Sequence, residues 1–227
     1  MRYGVRVGCL SMLLPLAAAG QPVAVGAIVG LPISSHSQEY GLGCLAPNGQ
    51  TCGPNDFLMK PYTIGAVADV RLPLHLSVEA GFLYERLHRD VSQGLTVGRG
   101  TGYVNFGEQY GAAANAWLFP FLLRYTFRER RRLAPFVDAG ATLRHLGPFD
   151  GQGIQMDFYL QPQPVTGHIE SAKDLDAAIT AGGGVRWRVW MLDIAPEIRF
   201  LHWTSPYNQP ARNEAMLMLR VAFPAVR

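Results

Sequence analysis

The sequence has no long hydrophobic run, although 48% of its 227 residues are hydrophobic. No apolar segment reaches the roughly 20 residues that a membrane-spanning helix needs. If the chain crosses a membrane, it does so as a closed β-barrel, because only helices and closed barrels satisfy every backbone group in lipid. The missing run therefore excludes helical membrane proteins and leaves the barrel class open.

A marked excess of charge of one sign is also missing. Arg2 and Arg6 fall in a predicted leader, and without them 18 Lys and Arg stand against 17 Asp and Glu, a formal charge of +1. No basic patch interleaved with aromatic residues occurs. We therefore expect no nucleic-acid partner.

Catalytic and cofactor-binding motifs are absent as well. The sequence contains no Gly-x-Ser-x-Gly elbow, no His-Glu-x-x-His and no Gly-x-x-x-x-Gly-Lys phosphate loop. Of three cysteines only Cys44 and Cys52 lie beyond the leader, and no histidine stands at ligand spacing from them. We predict no cofactor and no metal.

Residues 1–20 have the features of a secretory signal peptide. Arg2 and Arg6 are followed by an apolar segment at 7–16 and by small residues at 17–20, which predicts cleavage before Gln21. Residues 21–227 then form one mature domain. Because an exported chain enters an oxidising compartment, we predict a disulfide between Cys44 and Cys52, with two free thiols as the alternative.

Eight segments alternate apolar and polar residues with the period of two that a β-strand imposes. They cover residues 23–33, 62–72, 74–85, 117–127, 133–144, 177–188, 192–203 and 213–223. Within them every acid and every arginine lies on the face opposite the apolar one. This separation predicts a packed or closed sheet with one apolar face.

The connections between these segments alternate in length. Polar stretches rich in glycine and proline cover residues 34–61, 86–115, 145–176 and 204–212, and short turns separate them. Outer-membrane barrels have this layout, with short periplasmic turns and long external loops. A ten-stranded barrel is the alternative, in which residues 95–106 form an extra hairpin arm.

Two segments carry a family resemblance. The terminal strand, with Leu219, Val221 and Phe223 on one face, resembles the last strand of bacterial outer-membrane β-barrels, which the assembly machinery reads as a signal. Residues 196–200, Pro-Glu-Ile-Arg-Phe, resemble a pattern of small outer-membrane β-barrel proteins. The resemblance implies an all-β, closed antiparallel transmembrane β-barrel, most simply of eight strands.

The same resemblance implies a location and partners. We expect a monomer in the outer membrane of a Gram-negative-type bacterium, with both termini periplasmic and no separate periplasmic domain. Its expected partners are outer-membrane lipid, lipopolysaccharide and, during biogenesis, the barrel-assembly machinery. The partner of the external loops cannot be read from the sequence.

The interior of such a barrel is predicted to be charged. Eight strands enclose a space that side chains just fill, and arginine suits it because its planar fork pairs carboxylates bidentately. The predicted inward residues are Asp69, Arg71, Glu79, Arg124, Asp138, Arg144, Arg186, Glu197, Arg199, Glu214 and Arg220. We interpret them as a structural ionic plug; a proton or ion path is the alternative.

One polar cluster, where the last two strands meet, has catalytic residue types. His202, Ser205 and Glu214 resemble the His, Ser and acid of eight-stranded outer-membrane lipid A deacylases. The match is incomplete, because Thr204 stands two residues after His202 and Pro206 follows Ser205 where that family has Asn. A polar loop that caps a hairpin is the favoured interpretation.

Three functions follow from these patterns. The first is a non-enzymatic structural or surface-interaction barrel with a plugged interior, acting through its external loops. The second is a small, passive, porin-like channel, and the third is a lipid A-modifying hydrolase.

Overall fold

The structure is a computed structural model of the chain. It describes residues 23–33, 37–38, 44–45, 51–59, 62–99, 102–127, 131–156, 162–169, 175–204 and 212–223. The predicted signal peptide and Ser205 lie outside the described residues. No described residue belongs to a helix long and apolar enough to cross a membrane.

The described chain forms thirteen strands, as its alternating sequence predicts for most of them. They are β1 (Val23–Pro32), β2 (Ser37–Gln38), β3 (Cys44–Leu45), β4 (Thr51–Met59), β5 (Thr63–Arg71), β6 (Leu76–Arg99), β7 (Gly102–Thr126), β8 (Leu133–Leu146), β9 (Phe149–Met156), β10 (Pro162–Ile169), β11 (Leu175–Val189), β12 (Leu192–Trp203) and β13 (Asn213–Phe223).

Eight of these strands close into one antiparallel barrel. Its order is β1, β5, β6, β7, β8, β11, β12 and β13. The circle closes between β13 and β1, where Val25 lies opposite Phe223 and Leu31 opposite Leu217. The predicted all-β fold, with eight strands in a closed antiparallel barrel, is confirmed.

Three of the four long connections contain strands among their described residues, and there the expectation of loops is wrong; of residues 204–212 only Thr204 and Arg212 are described. Residues 86–115 belong almost entirely to β6 and β7, which continue past the barrel and pair as far as Arg99 opposite Gly102. Residues 95–106 form the far arm of that hairpin and add no strand to the barrel. The glycines of this stretch, which the sequence predicts to lie in a loop, do not interrupt the ladder, because pairing needs only N–H and C=O groups.

Further strands widen the sheet beyond the barrel, and we call this part, together with the far ends of β6 and β7, the extension. β4 pairs with the extension of β6, and β2 and β3 pair with β4. On the other side β9 pairs with the extension of β7, and β10 pairs with β9. In the β3–β4 pairing Cys44 lies opposite Cys52, and residues directly opposite on antiparallel strands have Cα atoms about 4.5–5.5 Å apart. That backbone spacing suits a disulfide, which stays a prediction.

Short turns connect the barrel strands at the other end, as predicted. The turn between β5 and β6 places Leu74 and His75 at positive φ (63° and 64°), and Leu76 N donates to Pro73 O at 3.4 Å. The turn between β11 and β12 places Trp190 at φ 52°. Each of these non-glycine residues adopts a conformation that two-residue hairpins require.

Side chains alternate between an exposed outward face and a buried inward face along the barrel strands. On β8 this alternation runs from Leu133 to Leu146, with only Gly140 intermediate. Outward apolar residues come from every barrel strand: Val25, Ile64, Phe82, Phe121, Val137, Ile179, Ile198 and Leu217. The charged residues predicted to face inward are buried or half-buried.

Candidate functional site

Arg124 is the centre of a buried ionic network inside the barrel. Its Nη2 lies 2.8 Å from Glu79 Oε2, 2.8 Å from Asp138 Oδ2 and 3.0 Å from Glu197 Oε2. Its Nε donates to the same Asp138 oxygen at 3.2 Å, and its Nη1 lies 3.6 Å from Asp69 Oδ1. One guanidinium, 2% exposed, thus contacts carboxylates from four different strands.

Two more arginines complete this network. Arg199 Nη2 lies 2.6 Å from Glu197 Oε1 and also contacts Glu79. Arg220 pairs with Asp69, and its Nη1 lies 3.4 Å from Glu79 Oε2. We call these seven residues the central network: Asp69, Glu79, Arg124, Asp138, Glu197, Arg199 and Arg220. Four carboxylates against three guanidiniums leave a formal charge of −1.

Glycine leaves room for this network. Gly182 faces inward on β11, opposite Asp138 on β8 and Arg199 on β12. A Cβ at Gly182 would lie 2.5 Å from Asp138 Oδ1 and 3.3 Å from Arg199 Cγ. Two glycines of the run 182–184, Gly182 and Gly184, therefore reflect a crowded interior, which is one of the reasons that favour glycine inside strands.

A second ionic cluster lies toward the end with the long connections. Arg144 Nη2 donates to Asp176 Oδ2 at 3.2 Å, and its Nη1 lies 3.8 Å from Glu85 Oε1. The guanidinium stacks on Trp203, with Cζ 4.2 Å from the ring centroid. Thr63 Oγ1 donates to Glu85 Oε2 at 3.4 Å. Arg144 belongs to this cluster and not to the central network.

Asp176 and Glu85 are the acids of this cluster that the predicted inward set omitted. Asp176 was placed in an external stretch at 145–176, although it is 2% exposed on β11. Its position two residues before Ala178, on the inward parity of the same strand, was the signal that could have found it.

An apolar layer separates the two ionic clusters. On β6, Leu83 lies between Glu79 and Glu85, and on β5, Val67 lies between Thr63 and Asp69. The layer joins side chains from seven strands in one contact cluster: Ile28, Val67, Leu83, Leu118, Ala178, Leu201, Trp203, Met216 and Met218. Each of these is at most 3% exposed.

The remaining predicted inward residues lie away from the central network. Arg71 Nη2 lies 3.7 Å from Asp193 Oδ2 near the short turns, where Arg188 also holds Asp193 in a bidentate pair at 2.7 and 2.9 Å. Arg186 is buried beside a cavity of about 30 Å³ at this end. Glu214 lies at the opposite end, where it accepts from Trp203 Nε1 at 3.3 Å.

The structure keeps two of the three weak catalytic candidates, His202 and Glu214, on opposite faces; the third, Ser205, lies outside the described residues. His202 faces outward and its Nδ1 lies 2.7 Å from Asn213 Oδ1, whereas Glu214 is bonded to the inward Trp203. Thr204 Oγ1 donates to the backbone oxygen of Ala177 at 2.9 Å. Among the described residues, no group of three or more His, Cys, Asp or Glu could hold a metal ion.

The outward face changes chemistry near the end with the long connections. On β6, outward Phe82 and Tyr84 are followed by outward Arg86 and His88, while inward Leu87 is buried. On β7, β8 and β12 the outward residues likewise become polar at Asn115, His145 and His202. The inward face becomes apolar there, in a second cluster that contains Leu87, Ala112, Ala114, Ala116, Leu146 and Phe149. The two faces thus exchange polarity at one level of the molecule.

A polar groove lies just past this exchange, on the outward face of the widened sheet. Its volume is about 710 Å³. Arg86 and His88 on β6 form one wall, and small residues of β7, Gly111 and Ala113, form the floor. The other wall, on β9 and β10, consists of Asp150, Gln152, Thr166 and His168.

The predicted assembly-signal residues lie on the outward face of the last strand. Leu219 is 43%, Val221 37% and Phe223 66% exposed. Their inward neighbours Arg220 and Ala222 are buried. The apolar face of β13 therefore lies outward and its polar face inward, as the alternation of its residues predicts.

Comparison with known proteins adds little beyond this geometry. No family model matches the chain and no curated protein matches it. Neisserial surface protein A matches at 10% identity over 88% of this chain and 96% of that protein's chain, with a TM-score of 0.43. Ail, the attachment invasion locus protein of Yersinia pestis, solved with the heparin analogue sucrose octasulfate, matches at 10% identity over 90% and 97%, with a TM-score of 0.34. At these values the likeness carries no functional argument.

Proposed function

We propose that the chain is a monomeric integral barrel of a Gram-negative-type outer membrane, with a closed interior and a surface-interaction role. The observation that carries the proposal is the exchange of polarity between the two faces. Below it the outward side chains are apolar, and the inward ones form charged networks with an apolar layer between them. Above it the outward residues of β6, β7, β8 and β12 become polar, and the inward residues of the second cluster are apolar. Lipid around the barrel and water around the extension would each demand that arrangement.

The height of the apolar belt supports a membrane location. On β7 the outward residues from Trp117 to Phe127 are apolar or aromatic over ten residue steps. At about 3.3 Å per residue and a tilt of about 40°, these steps span about 25 Å, which is the height of the apolar band of outer-membrane barrels. Soluble monomers rarely expose a contiguous apolar patch larger than a few hundred Å².

The packing of the interior supports a barrel that does not conduct. The central network and the apolar layer fill successive levels of a barrel whose width side chains can occupy completely. An ion that crossed would have to displace Arg124 from carboxylates that are themselves desolvated, which is costly.

The extension supports a role at the cell surface. It leaves the barrel at the end with the long connections, which is the external end in barrels of this class. Its widened sheet presents polar outward side chains to solvent. Its end next to the barrel would adjoin the outer leaflet, so lipopolysaccharide is the expected lipid partner. Leu219, Val221 and Phe223 would serve the assembly machinery.

Two assays test this proposal. Folded protein in detergent should resist SDS and migrate differently before and after boiling, whereas recovery as a soluble periplasmic protein would contradict it. Purified protein in planar bilayers should show no stable conductance. Steady ion-selective steps that Arg199→Ala abolishes would favour the channel instead.

The hydrolase alternative has its own assay. Incubation with lipopolysaccharide should release no fatty acid, since His202 pairs with Asn213 and not with an acid among the described residues. Release that His202→Ala removes would establish the hydrolase.

A further inference from the structure

We propose that the outward face of β6, β7, β9 and β10 is a binding site for a phosphorylated glycolipid. The inference rests on the proposed function, because it needs the apolar belt in lipid and the groove at the external surface. It goes further by naming the site and the chemistry of its ligand. Three bands of side chains on this face match the parts of such a lipid: an aromatic band, then a groove whose wall on β6 is cationic and whose opposite wall is polar.

The first band is aromatic and would contact acyl chains. Phe82 stacks on Trp117 with ring centroids 4.7 Å apart and planes 15° apart, and Phe119 lies 5.4 Å from Phe82. Tyr84 lies 5.0 Å from Trp117 and its hydroxyl donates to Asn115 Oδ1 at 2.8 Å. Aromatic rings with one polar tip are typical of the membrane–water interface.

The second band is cationic and would contact phosphate. Arg86 and His88 follow Tyr84 on the outward parity of β6, and both are exposed. Neither side chain makes a hydrogen bond or ion pair with another residue in the described part of the chain. The planar fork of an arginine pairs phosphate bidentately, so Arg86 has its donors available where a lipid phosphate would lie.

The third band is the opposite wall of the polar groove, on β9 and β10, which would hold saccharide. One row of the sheet runs His88, Ala113, Asp150 and His168 across β6, β7, β9 and β10. At about 4.8 Å per strand spacing, the wall on β6 lies about 10 Å from β9 and about 14 Å from β10, too far for a single ion to bridge. The walls offer amide, hydroxyl, carboxylate and imidazole groups, and His168 Nδ1 already lies 2.6 Å from Asp150 Oδ1. The volume of about 710 Å³ lies in the range of small-molecule sites.

The combination of the three bands selects the ligand. A phospholipid would occupy the aromatic and cationic bands but leave the wall on β9 and β10 without a partner, and a soluble saccharide would leave the aromatic band unused. A lipid with acyl chains, phosphate and sugars contacts all three. The chemistry therefore points to the phosphorylated glycolipid of the outer leaflet.

The test compares three lipids and four proteins by native mass spectrometry of delipidated protein in detergent. The lipids are deep-rough lipopolysaccharide, the same lipid after phosphatase treatment, and phosphatidylglycerol. The proteins are wild type, Arg86→Ala, Gln152→Ala and the control Arg212→Ala. Arg212 is exposed beside β13, on the far side of the barrel at the same end, so its removal costs the same charge.

We expect wild type to bind intact lipopolysaccharide at least tenfold more tightly than phosphatidylglycerol. Arg86→Ala should weaken that binding about fivefold, because each basic residue near a membrane surface contributes about that factor. Phosphatase treatment should weaken binding to wild type but not further to Arg86→Ala. Gln152→Ala should weaken lipopolysaccharide alone, and Arg212→Ala should stay within twofold of wild type.

Equal losses in Arg86→Ala and Arg212→Ala would overturn the site, since they would show only diffuse electrostatic attraction. Equal affinity for phosphatidylglycerol would overturn the saccharide part, and equal competition by deacylated phosphosaccharide would overturn the lipid part. The boiling-dependent shift of every variant is measured on the same samples. If the protein shows the boiling-dependent shift but no preference for glycolipid, this inference alone is overturned. If the protein shows no boiling-dependent shift, the proposed function is contradicted.

Discussion

Replacing Arg124 with alanine should destabilise the barrel more than any other single change in the central network. Arg124 contacts Glu79, Asp138 and Glu197 at 2.8–3.0 Å and is 2% exposed. Its loss changes the formal charge of the network from −1 to −2 in a desolvated space. Removing one partner of a buried ion pair typically costs 3–5 kcal/mol, so we expect a loss of about 4 kcal/mol in the free energy of unfolding.

The assay is reversible urea unfolding in phospholipid vesicles, followed by tryptophan fluorescence and by the boiling-dependent band shift. Arg212→Ala, an exposed arginine outside the network, should change the free energy of unfolding by no more than about 0.5 kcal/mol. Arg124→Lys should fall between the two, because it keeps the charge and loses the fork that spans several carboxylates.

A double variant separates charge from packing. Asp138 makes its ion-pair contacts, among the described residues, with Arg124, so Arg124→Met with Asp138→Asn removes one charge of each sign and keeps the network at −1. The pair should recover at least about 1 kcal/mol relative to Arg124→Met alone, since contacting residues couple by about 0.5–3 kcal/mol. A cost below about 1 kcal/mol for Arg124→Ala, or no recovery in the double variant, would refute the reasoning.

Three further predictions concern other parts of the chain. Gly182→Ala should destabilise the barrel by about 1–3 kcal/mol in the same urea assay, because its Cβ would lie 2.5 Å from Asp138 Oδ1. Gly183→Ala should cost less, because its Cβ would come no closer than 3.2 Å to any atom. Equal costs for the two variants would contradict the crowding argument. Protein exported to the periplasm should contain a disulfide between Cys44 and Cys52, so that neither thiol is alkylated unless the protein is first reduced. Two readily alkylated thiols would disprove the disulfide. Phe223→Ala, at an outward position 66% exposed, should lower the amount of barrel in the outer membrane several-fold yet refold in detergent with a normal band shift; an unchanged amount in cells would remove the assembly role.

The barrel itself could be predicted because its strands obey a simple rule. Along the barrel strands the outward side chains are mostly apolar and the charged ones face inward, so parity alone assigns Glu79, Arg124 and Glu197 to the interior. The structure buries all three. What parity cannot give is the grouping, because contacts such as that between Arg124 and Glu197 depend on stagger between strands distant in sequence. Arg144 was therefore assigned to one interior set, although stagger places it in a second cluster with Asp176.

The extension could not be recognised by that rule, and the reason is physical. On β6 the alternation of apolar and polar residues does not stop at Glu85. Beyond it the polar residues Arg86 and His88 face outward and the apolar residue Leu87 is buried, so the two faces have exchanged polarity. A criterion that requires apolar residues on one fixed face reads this reversal as the end of a strand. The same reversal follows Leu143 on β8, where His145 faces outward and Leu146 is 2% exposed.

A reversal of polarity at constant strand geometry has a specific physical source. A strand keeps its hydrogen-bond ladder and the alternation of its side chains whether lipid or water surrounds it, so the backbone geometry does not depend on the solvent. The side chains do: where the surroundings change from lipid to water, the outward residues must become polar, and the space inside the sheet must then supply the apolar core. Under the proposed membrane location, the exchange on β6, β7, β8 and β12 at one level marks the boundary between lipid and water. Aromatic Tyr84 and Trp117 stand on the lipid side of that boundary and Arg86 on the water side, which is why the glycolipid site is placed across it.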